Sequence, residues 1–118
     1  MIYTEGIPMG EERTFKFAKK VRDLVKKTPK TMSNLEYGKQ LIRSSSSVGA
    51  NYIEANESLS KKDFFMRIKI CRKESKESIF WLKLLELKNE AEEKERKFLM
   101  GEATELMKIF GSIVAKPK

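Results

Sequence analysis

The residues with the richest chemistry in this chain fall on one short line. Arg43, Ser47, Asn51, Glu54 and Ser58 are spaced by 4, 4, 3 and 4 residues, so they share one face if the segment is helical. Glu74 and Glu77, three residues apart, offer a pair of carboxylates on a later segment. Such groups are costly to bury unpaired. They can satisfy one another across two helices, with Arg43 meeting Glu74 or Glu77 and Asn51 bridging backbone or side-chain groups. The pattern reads first as a structural polar seam that fixes interhelical register, and second as a catalytic or ligand-binding seam.

Catalytic readings are narrow, because the chain contains no histidine. Ser–His and Cys–His nucleophile pairs are thereby excluded, as is the Glu-x-x-His pair of di-iron helical bundles. Glu54, Glu74 and Glu77 are too few for a two-metal centre beside a basic partner, so no metal and no cofactor is expected. The only cysteine, Cys71, lies on an apolar line and reads as a small buried hydrophobe. The run Ser44–Ser47 lacks the Gly-Lys-Ser/Thr ending of a phosphate loop. Nothing here points to an enzyme.

Positive charge is the other resource. The net charge is +8, and it is uneven. Residues 11–30 hold eight Lys/Arg against three acids, and residues 61–90 hold nine against five. The first block shows Arg13, Lys16, Lys19, Lys20, Arg22, Lys26 and Lys27. The second shows Lys61, Lys62, Arg67, Lys69, Arg72, Lys73 and Lys76. These side chains suit phosphate neutralisation, which gives salt-sensitive binding with little reading of bases. An anionic partner, RNA or DNA, is the physical implication; the competing reading is a solvated basic surface. No aromatic stacking platform of the single-strand-binder kind is evident.

Helices must position these groups. Phe17, Val21 and Leu24 recur at helical spacing over about 11–27, after an irregular arm at 1–10 with Gly6, Pro8 and Gly10. Ser33-Asn34-Leu35-Glu36 has the capping-box pattern, which predicts a second helix over about 34–58. Its apolar line is Leu35, Leu41, Ile42, Val48, Tyr52 and Ile53, with Gly38, Ser45, Gly49 and Ala55 as small positions for close packing. Ser60 to Asp63 caps a third helix over about 61–88, with Phe64, Ile68, Cys71, Ser75, Ser78, Leu82 and Leu85 as its core line. Asn89 and Glu92 cap a fourth over about 90–115, with Leu99, Ala103, Leu106, Phe110 and Ile113 buried. Pro117 and the terminal lysines are expected to fray. The predicted fold is all-α, one antiparallel up-down-up-down four-helix bundle spanning 1–118.

A second line on the third helix, Met66, Ile70, Trp81 and Leu84, points away from its core line. It reads as a subunit interface, where Trp and Met are enriched, or as peripheral core. No apolar run is long enough to span a bilayer, no signal peptide opens the chain, and a lone cysteine fits a reducing compartment. The expected location is the cytoplasm.

The stretches QLIRSSSSVGANYIEAN and SKKDFFMRIKICRKESKESIFWLKLL carry a family resemblance. They resemble the four-helix bundle family of the 23S rRNA-intervening sequence proteins. Gln40, Leu41, Arg43, Ser47, Val48, Asn51, Glu54, Ala55, Lys73, Glu74, Glu77, Trp81 and Leu82 match its pattern over about residues 35–87, while Tyr52 stands where a smaller aliphatic is usual. The resemblance implies a bundle that assembles as a homo-oligomer, commonly a homopentamer with a central channel. A relative in fold, the accessory protein of diversity-generating retroelements, binds nucleic acid and a reverse transcriptase. The combined expectation is a non-enzymatic, self-associating basic bundle that binds RNA or DNA; the alternative is a protein-interaction scaffold.

Overall fold

The computed structural model describes residues 10–116. Four helices follow one another: α1 (Gly10–Lys27), α2 (Met32–Asn56), α3 (Lys61–Leu84) and α4 (Glu90–Ala115). They form a bundle of 46 × 21 × 20 Å. Consecutive helices pack against one another, and α2 against α3 is the most extensive interface. The α1–α4 contact that closes the ring is the thinnest of the four, and α1 and α3 occupy opposite corners.

Local chemistry sets the helix ends. Glu11 and Glu12 sit in the first turn of α1 and Lys26 and Lys27 in its last, matching the helix dipole. The Thr28 hydroxyl donates to the Val25 carbonyl at 2.8 Å and Lys30 Nζ to the Lys26 carbonyl at 3.0 Å, satisfying carbonyls that α1 leaves free. Ser60 and Asn89 cap α3 and α4 by accepting from the backbone amides of Asp63 and Glu92.

Several boundaries differ from the sequence reading. Thr31, not Ser33, is the N-cap of α2, accepting from the Asn34 amide at 3.1 Å. The reason is long-range. Buried Asn34 donates to the carbonyls of Pro29 and Glu86 and accepts from the Glu86 amide, each at 2.8 Å. That clamp pulls Asn34 inward and starts the helix at Met32. Ser33 instead bonds the Glu86 carboxylate. Helix α3 stops at Leu84 rather than near Lys88, because Leu85 turns extended (ψ 134°). Arg96 Nη1 then takes the carbonyls of Leu82, Lys83 and Leu85, the last at 2.6 Å. Gly10, placed in the irregular arm by the sequence reading, is the first residue of α1 and is buried. Residues 1–9 of that arm and Pro117 lie outside the described residues.

The core lines of α1, α3 and α4 are buried, each large apolar side chain contributing roughly 1.5–3 kcal/mol. The line assigned to α2 is half right. Leu41, Val48 and Tyr52 are buried, whereas Leu35, Ile42 and Ile53 are exposed. The inward face of α2 is taken by small or polar residues, Asn34, Gly38, Ser44, Ser45 and Ala55. The larger residues beside them turn onto the flank that borders α1.

Candidate nucleic-acid interface

The polar seam forms between α2 and α3. Arg43, which is half exposed, lies 3.4 Å from Glu74 and also pairs with Glu77. Glu74 is buried, so the guanidinium is its counter-charge. One turn along, Asn51 Nδ2 donates to the Ser47 carbonyl and hydroxyl, both at 2.9 Å. Asn51 Oδ1 accepts from Arg67 at 2.9 Å. Glu54 does not join: it is exposed, and its carboxylate has no hydrogen bond or ion pair among the described residues.

Chemistry at Cys71 is suppressed. It is buried and its thiol donates to the Val48 carbonyl. Burial, the largest cause, pushes the thiol up to about 12, so it stays protonated at neutral pH and is a poor nucleophile. Among the described residues no cluster of three His, Cys, Asp or Glu side chains can hold a metal. No helix among them is long and apolar enough to cross a membrane.

The two basic blocks do not merge, because α1 and α3 are diagonal. They also differ in kind. On α1, Arg13 makes a two-pronged bond to Glu102 at 2.7 and 3.0 Å, which raises its pKa. Lys16 pairs with Glu12 and Lys27 with Glu95. Lys20 sits 4.7 Å above the Phe98 ring. Only Lys19 and Lys26 of the α1 candidates lack such a partner among the described residues. The groove of about 450 Å³ between α1 and α4 is rimmed by both signs of charge, Lys20, Lys27 and Lys94 against Asp23 and Glu95.

On α3 the picture reverses. Lys62, Lys69, Lys73, Lys76 and Lys83 are all exposed and none makes an ion pair among the described residues. With Met66 and Phe80 they are spaced 4, 3, 4, 3, 4 and 3 from 62 to 83, a single ridge opposite the core line. No acid lies on it: Asp63, Glu74 and Glu77 fall on the flank toward α2. Lys61, also assigned to this face, sits at the first residue of α3 and is exposed. Two other assigned residues are off the ridge. Arg67 is bound to Asn51. Arg72 lies beside Gly111 of α4, where its Nε would meet an added Cβ at 3.2 Å. Lys83 belongs to the ridge but was absent from the sequence-based set; continuing the alternating spacing past Phe80 finds it.

The outward line of α3 splits as well. Met66 and Leu84 are exposed. Ile70 is partly buried, and Trp81 packs on the core edge. Its indole donates to Glu77 at 3.0 Å, and its ring neighbours Tyr37 and Phe80.

The four helices, with this seam between the middle two, can be set beside known proteins. The family model of the 23S rRNA-intervening sequence protein matches residues 11–112, all but the ends of the bundle. This chain belongs to that family. A member of the S23 ribosomal protein family from Bacteroides thetaiotaomicron VPI-5482, described as of unknown function, has the same fold. It is 28% identical over 90% of this chain and 98% of its own, with a TM-score of 0.74. No curated protein matches the chain. The residues that carry the family likeness, among them Arg43, Ser47, Asn51, Glu74, Glu77 and Trp81, are largely those that join α2 to α3.

Proposed function

We propose that this protein binds nucleic acid, as a non-enzymatic bundle that associates with copies of itself. The single observation that carries the reading is the α3 ridge: five lysines in one line, with no acid on the line and no ion pair among the described residues. Unpaired cations held along a rigid helix raise the local potential and attract a polyanion. Charges already neutralised, such as Arg13 and Lys27, add little. The ridge lacks Asn, Gln and Arg, the side chains that read base edges most often, so the binding is independent of sequence.

The ridge also bears on self-association. Two copies meeting through α3 would set lysine against lysine. The flank shared by α1 and α2 exposes Phe15, Leu35, Ile42 and Ile53 instead, and it is the better candidate for a copy of the same chain.

Affinity measured against salt tests the first part, and light scattering of the same samples tests the second. The expected result is tight binding at low salt, with log affinity falling linearly as log salt rises. Changing Lys69, Lys73 and Lys76 to Gln should flatten that slope by about two units or more, at about 0.7–0.9 per phosphate contact. Light scattering of the free protein should give a multiple of the 13.7 kDa chain mass. No binding to RNA or DNA at low salt overturns the nucleic-acid reading, and a 13.7 kDa species overturns self-association.

A further inference from the structure

Resting on the nucleic-acid reading, we propose that the outer ridge of α3 is a single-strand site. Phe80 stacks on an unpaired base, and Lys73, Lys76 and Lys83 hold the phosphates on either side. Phe80 is 55% exposed, an apolar side chain on the lysine ridge. Lys76 lies four residues before it and Lys83 three after, about 6 and 4.5 Å along the helix axis. A lysine stem on each side can therefore reach a phosphate next to a base lying on the ring.

The ring is held in place. It meets Trp81 edge-on, with centroids 5.0 Å apart and planes at 74°. Trp81 is itself fixed by Glu77 and packed near Tyr37. Little freedom remains to be lost when a base arrives. Beside the ring is a groove of about 480 Å³ lined by Lys73, Lys76, Lys83, Phe80 and Met107, with one acid, Glu77, among its lining residues. The Glu77 carboxylate is engaged by Arg43, which it shares with Glu74, and by the Trp81 indole; the one negative charge this cluster leaves faces three lysines, Lys73, Lys76 and Lys83, in the groove.

Three alternatives fit less well. Among the other exposed rings, Phe98 already has Lys20 over its face, with grooves lined by Glu12, Glu95 and Glu102, and Phe15, four residues before Lys19, sits on the apolar flank with Leu35, Ile42 and Ile53. A duplex keeps its base faces stacked inside and would leave Phe80 with nothing to stack on. A lipid surface needs a continuous apolar face, but the ridge interposes Lys69, Lys73 and Lys76 between Met66 and Phe80, a gap of about 21 Å. Base–aromatic stacking tolerates any base, which suits a ridge that reads no base edges.

The test is fluorescence anisotropy on the full chain, with a labelled oligouridine long enough to span α3, a duplex RNA, and phosphatidylserine vesicles. Wild type should prefer the single strand. Phe80→Ala should weaken oligouridine binding about five-fold or more, with the salt slope and duplex binding unchanged. Phe80→Tyr, which keeps the ring, should restore affinity. Lys76→Gln with Lys83→Gln should lower the salt slope. The circular dichroism melt of Phe80→Ala should overlay wild type, since the ring is exposed. Equal single-strand affinity of Phe80→Ala and wild type, or a duplex preference, overturns the single-strand site while the nucleic-acid reading stands. No binding to either RNA overturns the nucleic-acid reading itself, and binding to vesicles alone overturns both.

Discussion

The hydroxyl oxygens of Ser44 and Ser78 lie 2.9 Å apart across the α2–α3 interface. Both residues are fully buried. Ser78 donates its one proton to the Glu74 carbonyl one turn back, so Ser44 donates across to Ser78, with the Leu41 carbonyl at 3.3 Å as its longer alternative acceptor. The two helices are thus joined through side chains too short to hold them apart, which explains serines inside a helix that they disfavour.

Size, more than hydrogen bonding, makes this contact. Ser44→Ala leaves Ser78 with its backbone partner and should cost less than about 1 kcal/mol. Ser44→Leu inserts a branched chain into a closed interface and should cost about 1–3 kcal/mol or more. Urea unfolding of the two variants separates the effects. Equal destabilisation by both would mean that the hydrogen bond, not the spacing, holds the helices.

Two glycines should respond in opposite directions. A Cβ at Gly10 would come within 2.7 Å of the buried Tyr52 ring, whereas one at Gly101 meets nothing within 4 Å. Gly10→Ala should destabilise by about 1–3 kcal/mol through overpacking. Gly101→Ala, in an exposed helix interior, should stabilise by about 0.5–1 kcal/mol. Thermal melts decide; a stabilised Gly10→Ala would show that Tyr52 yields freely.

Cys71 gives the fold an alkaline sensitivity. An unfolded thiol ionises near pH 8.5, but the folded one is pushed up to about 12 by burial. The unfolded state therefore binds fewer protons than the native state once the pH exceeds about 8.5, and stability falls from there toward the folded value. Below the unfolded value this contribution is fully present. Wild type should lose stability more steeply than Cys71→Ala between about pH 8.5 and 10. Parallel urea midpoints for the two proteins would contradict a neutral buried thiol.

Much of this bundle was legible in the sequence because α3 and α4 carry complete alternating lines of small and apolar residues. Every position of the lines running from Phe64 to Leu85 and from Leu99 to Ile113 is buried. The α2 pattern misled because its inward positions are polar or small, so Leu35, Ile42 and Ile53 looked like core by elimination. The α2 cap was ambiguous locally: Thr31 and Ser33 are both good caps. It was decided by Asn34 reaching Glu86, 52 residues away. The Arg96 clasp on the end of α3 has the same character. In the candidate site, the Glu12–Lys16 pair is readable at i,i+4, but only the fold shows that Glu102 holds Arg13 and Glu95 holds Lys27. Phe80 falls off the core line by spacing, but that its ring stays open beside the lysines was known only from its exposure.

The thin α1–α4 seam has a consequence for how the chain reaches this fold. Every substantial interface joins helices that are neighbours in sequence, so nearly all native contacts form by closing one short connection at a time, where loop-closure entropy is small. The one pairing that must bring distant parts of the chain together contributes least. Such local wiring is low contact order, the arrangement that accompanies folding in microseconds to milliseconds. It leaves the apolar lines of these helices exposed only briefly during synthesis.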